Sequence, residues 1–254
     1  MSLLEALMVL AAGVAAGTIN TVVGSGTLIT FPTLLAVGYS PITANVSNSL
    51  GLVPGSLSGT WGYRRELRGQ RRRILRYGTA SLLGGTAGAL LLFVLPAEAF
   101  DAIVPVMIAV ALVLVMFQPR LSGWLAARRD PDSPHGRDGG PGTVALGWLT
   151  GVYGGYFGAA QGILLLAIFG IALDEPLQRV NALKNVLATI VNLVAGIVFL
   201  FVADVAWEAV ALIAVGSAAG GQLGARVGRR LPPNVLRAVI VCVGLVAIVQ
   251  LLAR

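Results

Sequence analysis

Apolar residues fill the chain from Leu3 to Ala16 and again from Leu28 to Val37. Between them lies a small, polar interruption centred on Gly17 to Pro32, with Thr18, Asn20, Thr21, Ser25 and Thr27 set among three glycines. As a helix, Leu3 to Ala16 would measure about 21 Å at about 1.5 Å per residue, short of a bilayer core of roughly 30 Å. The pattern therefore predicts a broken helix doubling back over residues 3–37, and a weaker copy over 144–171 around GVYGGYFGAAQG, Gly151 to Gly162. A broken helix survives in lipid only where its freed backbone groups find protein or water, so each interruption is a candidate site. Three long apolar segments follow each one: 41–63, 74–94 and 100–117 in the first half, and 177–202, 207–225 and 233–253 in the second. Pro41 suits the first turn of its helix, whereas Pro54 is expected to kink or interrupt the same helix. The spacings Gly51, Gly55, Gly59 and Gly216, Gly220, Gly224, Gly228 read as close helix packing.

Composition agrees with that pattern. Hydrophobic residues make up 56% of the chain and charged residues 11%, which excludes an ordinary soluble domain and assigns an all-α polytopic membrane protein whose surroundings are the lipid bilayer. The net charge of +7 sits in short connections rather than on a soluble face, so no nucleic-acid partner is expected. Its use is orientation. By the positive-inside rule, the basic connections 64–73, 118–143 and 226–230 are cytoplasmic, and the acidic ones bearing Glu98, Asp101, Asp204 and Glu208 lie outside. The second interruption must then return to the side it entered from, because a single crossing there would reverse every later connection. Charge alone leaves the first interruption open between a re-entrant hairpin and one broken span, and analogy with the second favours the hairpin.

The organisation expected is a first repeat over 1–117, a cytoplasmic linker over 118–143, and a second repeat over 144–254. Within the linker, PRLSGWLAARR reads as a short interfacial helix. The two repeats have opposite orientation, each a re-entrant or broken helical hairpin followed by three transmembrane helices, which is a plan of secondary transporters. With one Cys, Cys242, and one His, His135, there is no disulfide framework, metal cluster or nucleophile–base pair. No enzyme, metal or cofactor is expected.

The residues resemble the sulfite exporter TauE/SafE family of bacterial membrane permeases. In the first half the likeness lies in Gly24, Ser25 and Gly26, then Pro32, Leu34 and Leu35, then ANVSNS from Ala44 to Ser49, then RREL. In the second half it lies in Arg179, Asn181, Ala182, Lys184 and Asn185. GAAQG departs from the family's second glycine cluster, and Asn48 stands where Thr is common. The resemblance implies inner-membrane transport of small sulfur-containing anions such as sulfite, sulfonates or thiosulfate.

The side chains point to an anion on their own chemistry. Lys184 is the single lysine beside seventeen arginines, and it lies about two turns into an apolar segment, flanked by Asn181 and Asn185. An ionisable residue inside a membrane segment is a candidate functional group; the alternative is snorkelling to the headgroups. A helix resuming after Gly24, Ser25 and Gly26 would present backbone N–H groups to an oxyanion. Asn20, Ser25, Thr27, Asn45, Asn48 and Gln161 complete the candidate set, with tight packing as the competing explanation for each. No carboxylate lies deep in a span to carry a coupled proton, and no GxxxxGK[ST] element exists for ATP. Export of an anion from a negative interior is favourable by about 2.3 kcal/mol per charge per 100 mV. The expectation is a secondary exporter that binds a small anion between two hairpin tips near the midplane. A non-transporting scaffold or sensor subunit, or a proton-coupled uptake permease for another small organic anion, are the alternatives, and oligomeric state stays open to a homo-oligomer.

Overall fold

The computed structural model describes residues 1–127, 138–227 and 233–252. His135, Arg128, Arg129, Arg137, Arg229 and Arg230, and with them parts of two of the basic connections, lie outside the described residues. Ten helices carry the described chain: α1 (Leu3–Val22), α2 (Thr27–Ala36), α3 (Pro41–Gly62), α4 (Arg71–Val94), α5 (Ala97–Ala127), α6 (Pro141–Tyr156), α7 (Gln161–Ala172), α8 (Leu177–Val202), α9 (Trp207–Val227) and α10 (Pro233–Leu252). Among the described residues, α1, α4, α5, α8 and α9 are long and apolar enough to cross a membrane. The protein is an all-α polytopic membrane protein. α3 matches them in length, but it buries Asn45, Ser47, Asn48 and Ser49 in the protein interior.

Local rules set the ends of these helices. Ser2 and Glu5 form a capping box at the start of α1, each satisfying a backbone N–H of the other's residue. Ser40 Oγ accepts the Thr43 N–H at 3.2 Å, with Pro41 in the first turn of α3. Two expectations are corrected. The first arm does not stop at Ala16: α1 runs through the polar residues to Val22, because Thr18 and Thr21 hydroxyls donate back to the Val14 and Gly17 carbonyls, each at 2.9 Å. A hydroxyl bonded in this way is compatible with a continuing helix. At 20 residues α1 spans about 30 Å, and the break narrows to Val23–Gly26. Nor is PRLSGWLAA a separate interfacial helix, since α5 continues through Pro119 to Ala127. α3 likewise runs on through Pro54 without ending.

Both interrupted elements double back. Gly26 lies against the Ala16 carbonyl of its own hairpin, and Gly154 of α6 lies against the Gln161 side chain at the start of α7. The base of the second hairpin is closed by an antiparallel bridge between Asp138 and Leu173, so this element leaves on the side where it enters. At the base of the first, Tyr39 follows α2 and stands near both Glu5 of α1 and Glu208 of α9. Burial, then those two carboxylates, raise its phenol above the ordinary range.

The helix pairing is reciprocal. α1 packs on α9 and α6 on α4; α9 packs on α3 and α4 on α8; α2 meets α10 and α7 meets α5; α3 pairs with α8 and α5 with α10. Exchanging α1–α5 with α6–α10 leaves this scheme unchanged. Two of these pairings, α1 on α9 and α6 on α4, rest on glycine. A Cβ at Gly17 would stand 2.3 Å from the Ser217 carbonyl oxygen, and one at Gly88 2.0 Å from that of Val152. Close backbone approach of this kind is how helices associate without a hydrophobic driving force.

Candidate functional site

Each hairpin turns in a few residues, and the turns need unusual backbone. Gly24 has φ +92° and Gly158 φ +76°, while Ala160 takes the left-handed conformation at φ +58°, where a Cβ is disfavoured. The two tips touch. The Gly162 N–H donates to the Gly24 carbonyl at 3.1 Å, and a Cβ on either glycine would stand 2.4 Å from the other's Cα. The expected gap between the tips is therefore a backbone-to-backbone contact. Ser25 and Gln161 flank it, both buried, and Ser25 Oγ and Gln161 Nε2 have no hydrogen-bond partner among the described residues.

A helix that ends inside the protein leaves carbonyls that must be satisfied. At the end of α1, Val23 and Gly24 N–H groups both turn to the Ile19 carbonyl, at 2.7 and 3.0 Å. The Asn20 and Thr21 carbonyls are taken by α8 instead. Lys184 Nζ donates to Asn20 at 3.0 Å and to Thr21 at 3.3 Å. Asn181 Nδ2 and Asn185 Nδ2 donate to the same Thr21 carbonyl at 3.2 and 3.3 Å. Lys184 is 0% exposed and forms no ion pair among the described residues. It neither snorkels nor pairs with a carboxylate; its partner is the negative end of the α1 dipole.

The second hairpin ends in the same way with fewer donors. Phe157 and Gly158 N–H groups both donate to the Tyr153 carbonyl at 3.1 Å, and Asn45 Nδ2 of α3 donates to the Tyr156 carbonyl at 2.9 Å. Asn45 on α3 and Asn181 on α8 thus perform one task on opposite hairpins. Asn48, at the α3 position matching Lys184, turns to the first hairpin itself. It accepts a hydrogen bond from the Thr30 hydroxyl and donates to Thr27 Oγ1 at 3.3 Å.

The nine candidate residues therefore fall into four groups. Asn20, through its carbonyl, joins Asn181, Lys184 and Asn185; Thr27 joins Asn48; Asn45 stands at Tyr156; Ser25 and Gln161 flank the tip contact. Sequence reasoning missed Thr21, Thr30 and Tyr156. Thr30 had a readable signal, one turn after Thr27 on the same helix. The carbonyls of Thr21 and Tyr156 had none, because any residue type supplies one. The Tyr156 hydroxyl is also buried without a partner among the described residues.

A cluster of charge lies away from the tips, at the base of the second hairpin. Arg73 pairs with Asp138 at 2.6 Å and with Glu175, and Arg179 pairs with Glu175 at 2.5 Å. Burial raises the Glu175 carboxyl, but hydrogen bonds from Arg179 and Arg73 outweigh it and hold the group below the usual carboxylate range. Tyr77 donates to the Asp138 carbonyl at 2.6 Å, and Gln70 donates to the Arg179 carbonyl at 3.0 Å. A cavity of about 340 Å³ opens here, lined by Asp138, Gly139, Gly140, Thr143, Ile171 and Ala172. Among its described lining residues the ionisable one is Asp138, already paired with Arg73.

Comparison with known proteins bears on this arrangement. Residues 9–251 match the family model described as Sulfite exporter TauE/SafE. The chain is 27% identical over 241 residues to the probable membrane transporter protein YfcA of Escherichia coli (strain K12), covering 93% of this chain and 86% of that one. It is 29% identical over 239 residues to the probable membrane transporter protein ORF9 of Sinorhizobium sp, covering 94% and 88%, and 25% identical over 229 residues to a probable membrane transporter protein of Haemophilus influenzae, covering 90% and 87%. No solved structure matches the chain. A full-length family match on an all-helical membrane chain makes this protein a member of the sulfite exporter TauE/SafE family of membrane transporters.

Proposed function

We propose that the protein is a secondary exporter of small sulfur-containing anions such as sulfite, sulfonates or thiosulfate, bound where the two hairpin tips meet. One observation carries this reading: the Lys184 ammonium lies buried beside the first tip with backbone carbonyls, and no carboxylate, as its described partners. The helix end offsets roughly half an elementary charge, so the site keeps a positive balance that favours an anion. Ser25 Oγ and Gln161 Nε2, uncommitted and within one residue of the tip contact, are the side chains suited to an oxyanion. The reciprocal pairing of α1–α5 and α6–α10 supports an inverted repeat whose hairpins enter from opposite faces. Arg71, Arg72 and Arg73 at the second hairpin's base then mark the cytoplasmic side of the inner membrane.

Flux of labelled sulfite in proteoliposomes containing only this protein tests the proposal, with an isethionate, sulfoacetate and thiosulfate panel in the same assay. Protein-dependent flux that grows with an outward-driving potential is the expected result. Flux of none of these anions would leave a scaffold or sensor role in its place; flux only with an imposed proton gradient would favour an uptake permease.

A further inference from the structure

We infer that Lys184 is a tethered cation: its ammonium occupies, on the carbonyls ending α1, the position that a coupling monovalent cation takes in other transporters, and its removal opens a site for Na⁺. In secondary transporters with broken helices, the C-terminal ends of half-helices and their unpaired carbonyls coordinate the coupling ion. Here α1 is such a helix, ending at Val22 inside the protein. Its Asn20 and Thr21 carbonyls stand 3.0 and 3.3 Å from Lys184 Nζ.

A second observation points to a cation rather than to a simple cap. Asn181 donates its Nδ2 to Thr21, yet its Oδ1 is buried with no partner among the described residues. That oxygen sits on the residue one turn before Lys184 on α8, whose amide nitrogen shares the Thr21 carbonyl with the ammonium; the ammonium itself is received by two backbone carbonyls. Three donors already converge on Thr21, more than one carbonyl with two lone pairs requires. An uncharged donor would therefore suffice for hydrogen bonding alone. The other hairpin makes the point, since a single neutral Asn45 serves its helix end. What Lys184 adds is a positive charge on an oxygen-rich helix terminus, held there covalently and unable to leave with the substrate.

The inference deepens the transporter reading and rests on it for the coupling, though not for the cation site. Its consequence is that anion flux needs no added Na⁺. The experiment uses the full-length protein, wild type and Lys184→Ala, with thermal unfolding followed in choline, sodium, potassium and methylammonium chloride at equal ionic strength. Labelled-sulfite flux of the wild type is measured with and without Na⁺. Expected are a wild-type melting temperature indifferent to the cation, wild-type flux changed less than threefold by Na⁺, and a variant destabilised in choline. That variant should regain at least half of its lost melting temperature, saturably, in Na⁺ or methylammonium. A variant that responds to these cations no differently from the wild type overturns the inference, as does a wild-type flux raised threefold or more by Na⁺. If Lys184→Ala yields no folded protein in any salt, Lys184→Ser is put through the same series, and absence of a cation-specific gain there overturns it equally. Cation-specific rescue of a variant whose wild type moves no anion supports the tethered cation and removes only the transport reading.

Discussion

The two hairpins solve one problem with different means. Each sends a helix inward, ends it with two N–H groups on one carbonyl, and hands at least one later carbonyl to the opposite half of the chain. The first hairpin spends three α8 side chains on this, one of them charged, while the second uses Asn45. At their bases the order reverses. The second hairpin is clamped by the Arg73, Asp138, Glu175 and Arg179 network and a backbone bridge, whereas beside the first the described ion pair is Met1 amino to Glu208 at 3.6 Å. The difference teaches that fold symmetry does not dictate chemical symmetry. One hairpin is anchored by exposed and half-buried charges at its base; the other is anchored at its tip by a fully buried Lys184, where a charge is costly.

The largest effect expected from breaking this comparison comes from Lys184→Met, which removes the charge that α8 brings to the tip of the first hairpin. Labelled-sulfite flux should fall more than tenfold while expression and monodispersity hold; unchanged flux would remove Lys184 from the site. Next comes the contact that joins the hairpins. Gly162→Ala places a Cβ 2.4 Å from the Gly24 Cα, and since neither backbone can yield cheaply, a loss of about 2 kcal/mol in thermal unfolding is expected, in the range of overpacked cores. A melting temperature equal to the wild type's would mean that the tips are not held together in the membrane.

The caps sharpen the comparison further. Asn45→Ala leaves the Tyr156 carbonyl without its donor and should cost about 1–3 kcal/mol, whereas Asn181→Ala leaves Lys184 and Asn185 on Thr21 and should cost less. Equal losses, read from matched melting curves, would contradict the unequal capping. The smallest and most conditional effect is that of pH on the second base. Glu175 has a lowered folded-state carboxyl, so its contribution is present above the ordinary carboxylate range and lost as pH falls through the lowered value. Acid should therefore destabilise the wild type more than Glu175→Gln in melting curves taken across that range; parallel curves would show that the clamp adds no pH-dependent stability.

Much of the fold was legible in the residues. Small and polar residues inside apolar runs marked where α1 gives way to α2 and α6 to α7, and an Asp138–Leu173 bridge brings the two ends of the second interrupted element together. The end of α1 lies beyond where its polar residues suggest, because Thr18 and Thr21 hydroxyls bond to the preceding turn, which costs a helix little. The candidate site was legible in part. Lys184 with its flanking amides stood out by type and depth, but their shared target did not, being a backbone oxygen.

What the amino-acid sequence determined alone is what depends on composition and period: an all-helical membrane chain, two breaks in matching positions, and one misplaced cation. Which helix meets which was decided only by the tertiary structure, because glycine stripes declare that some backbone will come close without saying whose. The tertiary structure also decided that the hairpin tips touch and that Lys184 faces the end of α1. Those contacts join residues more than 130 positions apart, Gly24 to Gly162 and Asn20 to Lys184, and each ends on a main-chain carbonyl of a kind that every residue carries alike.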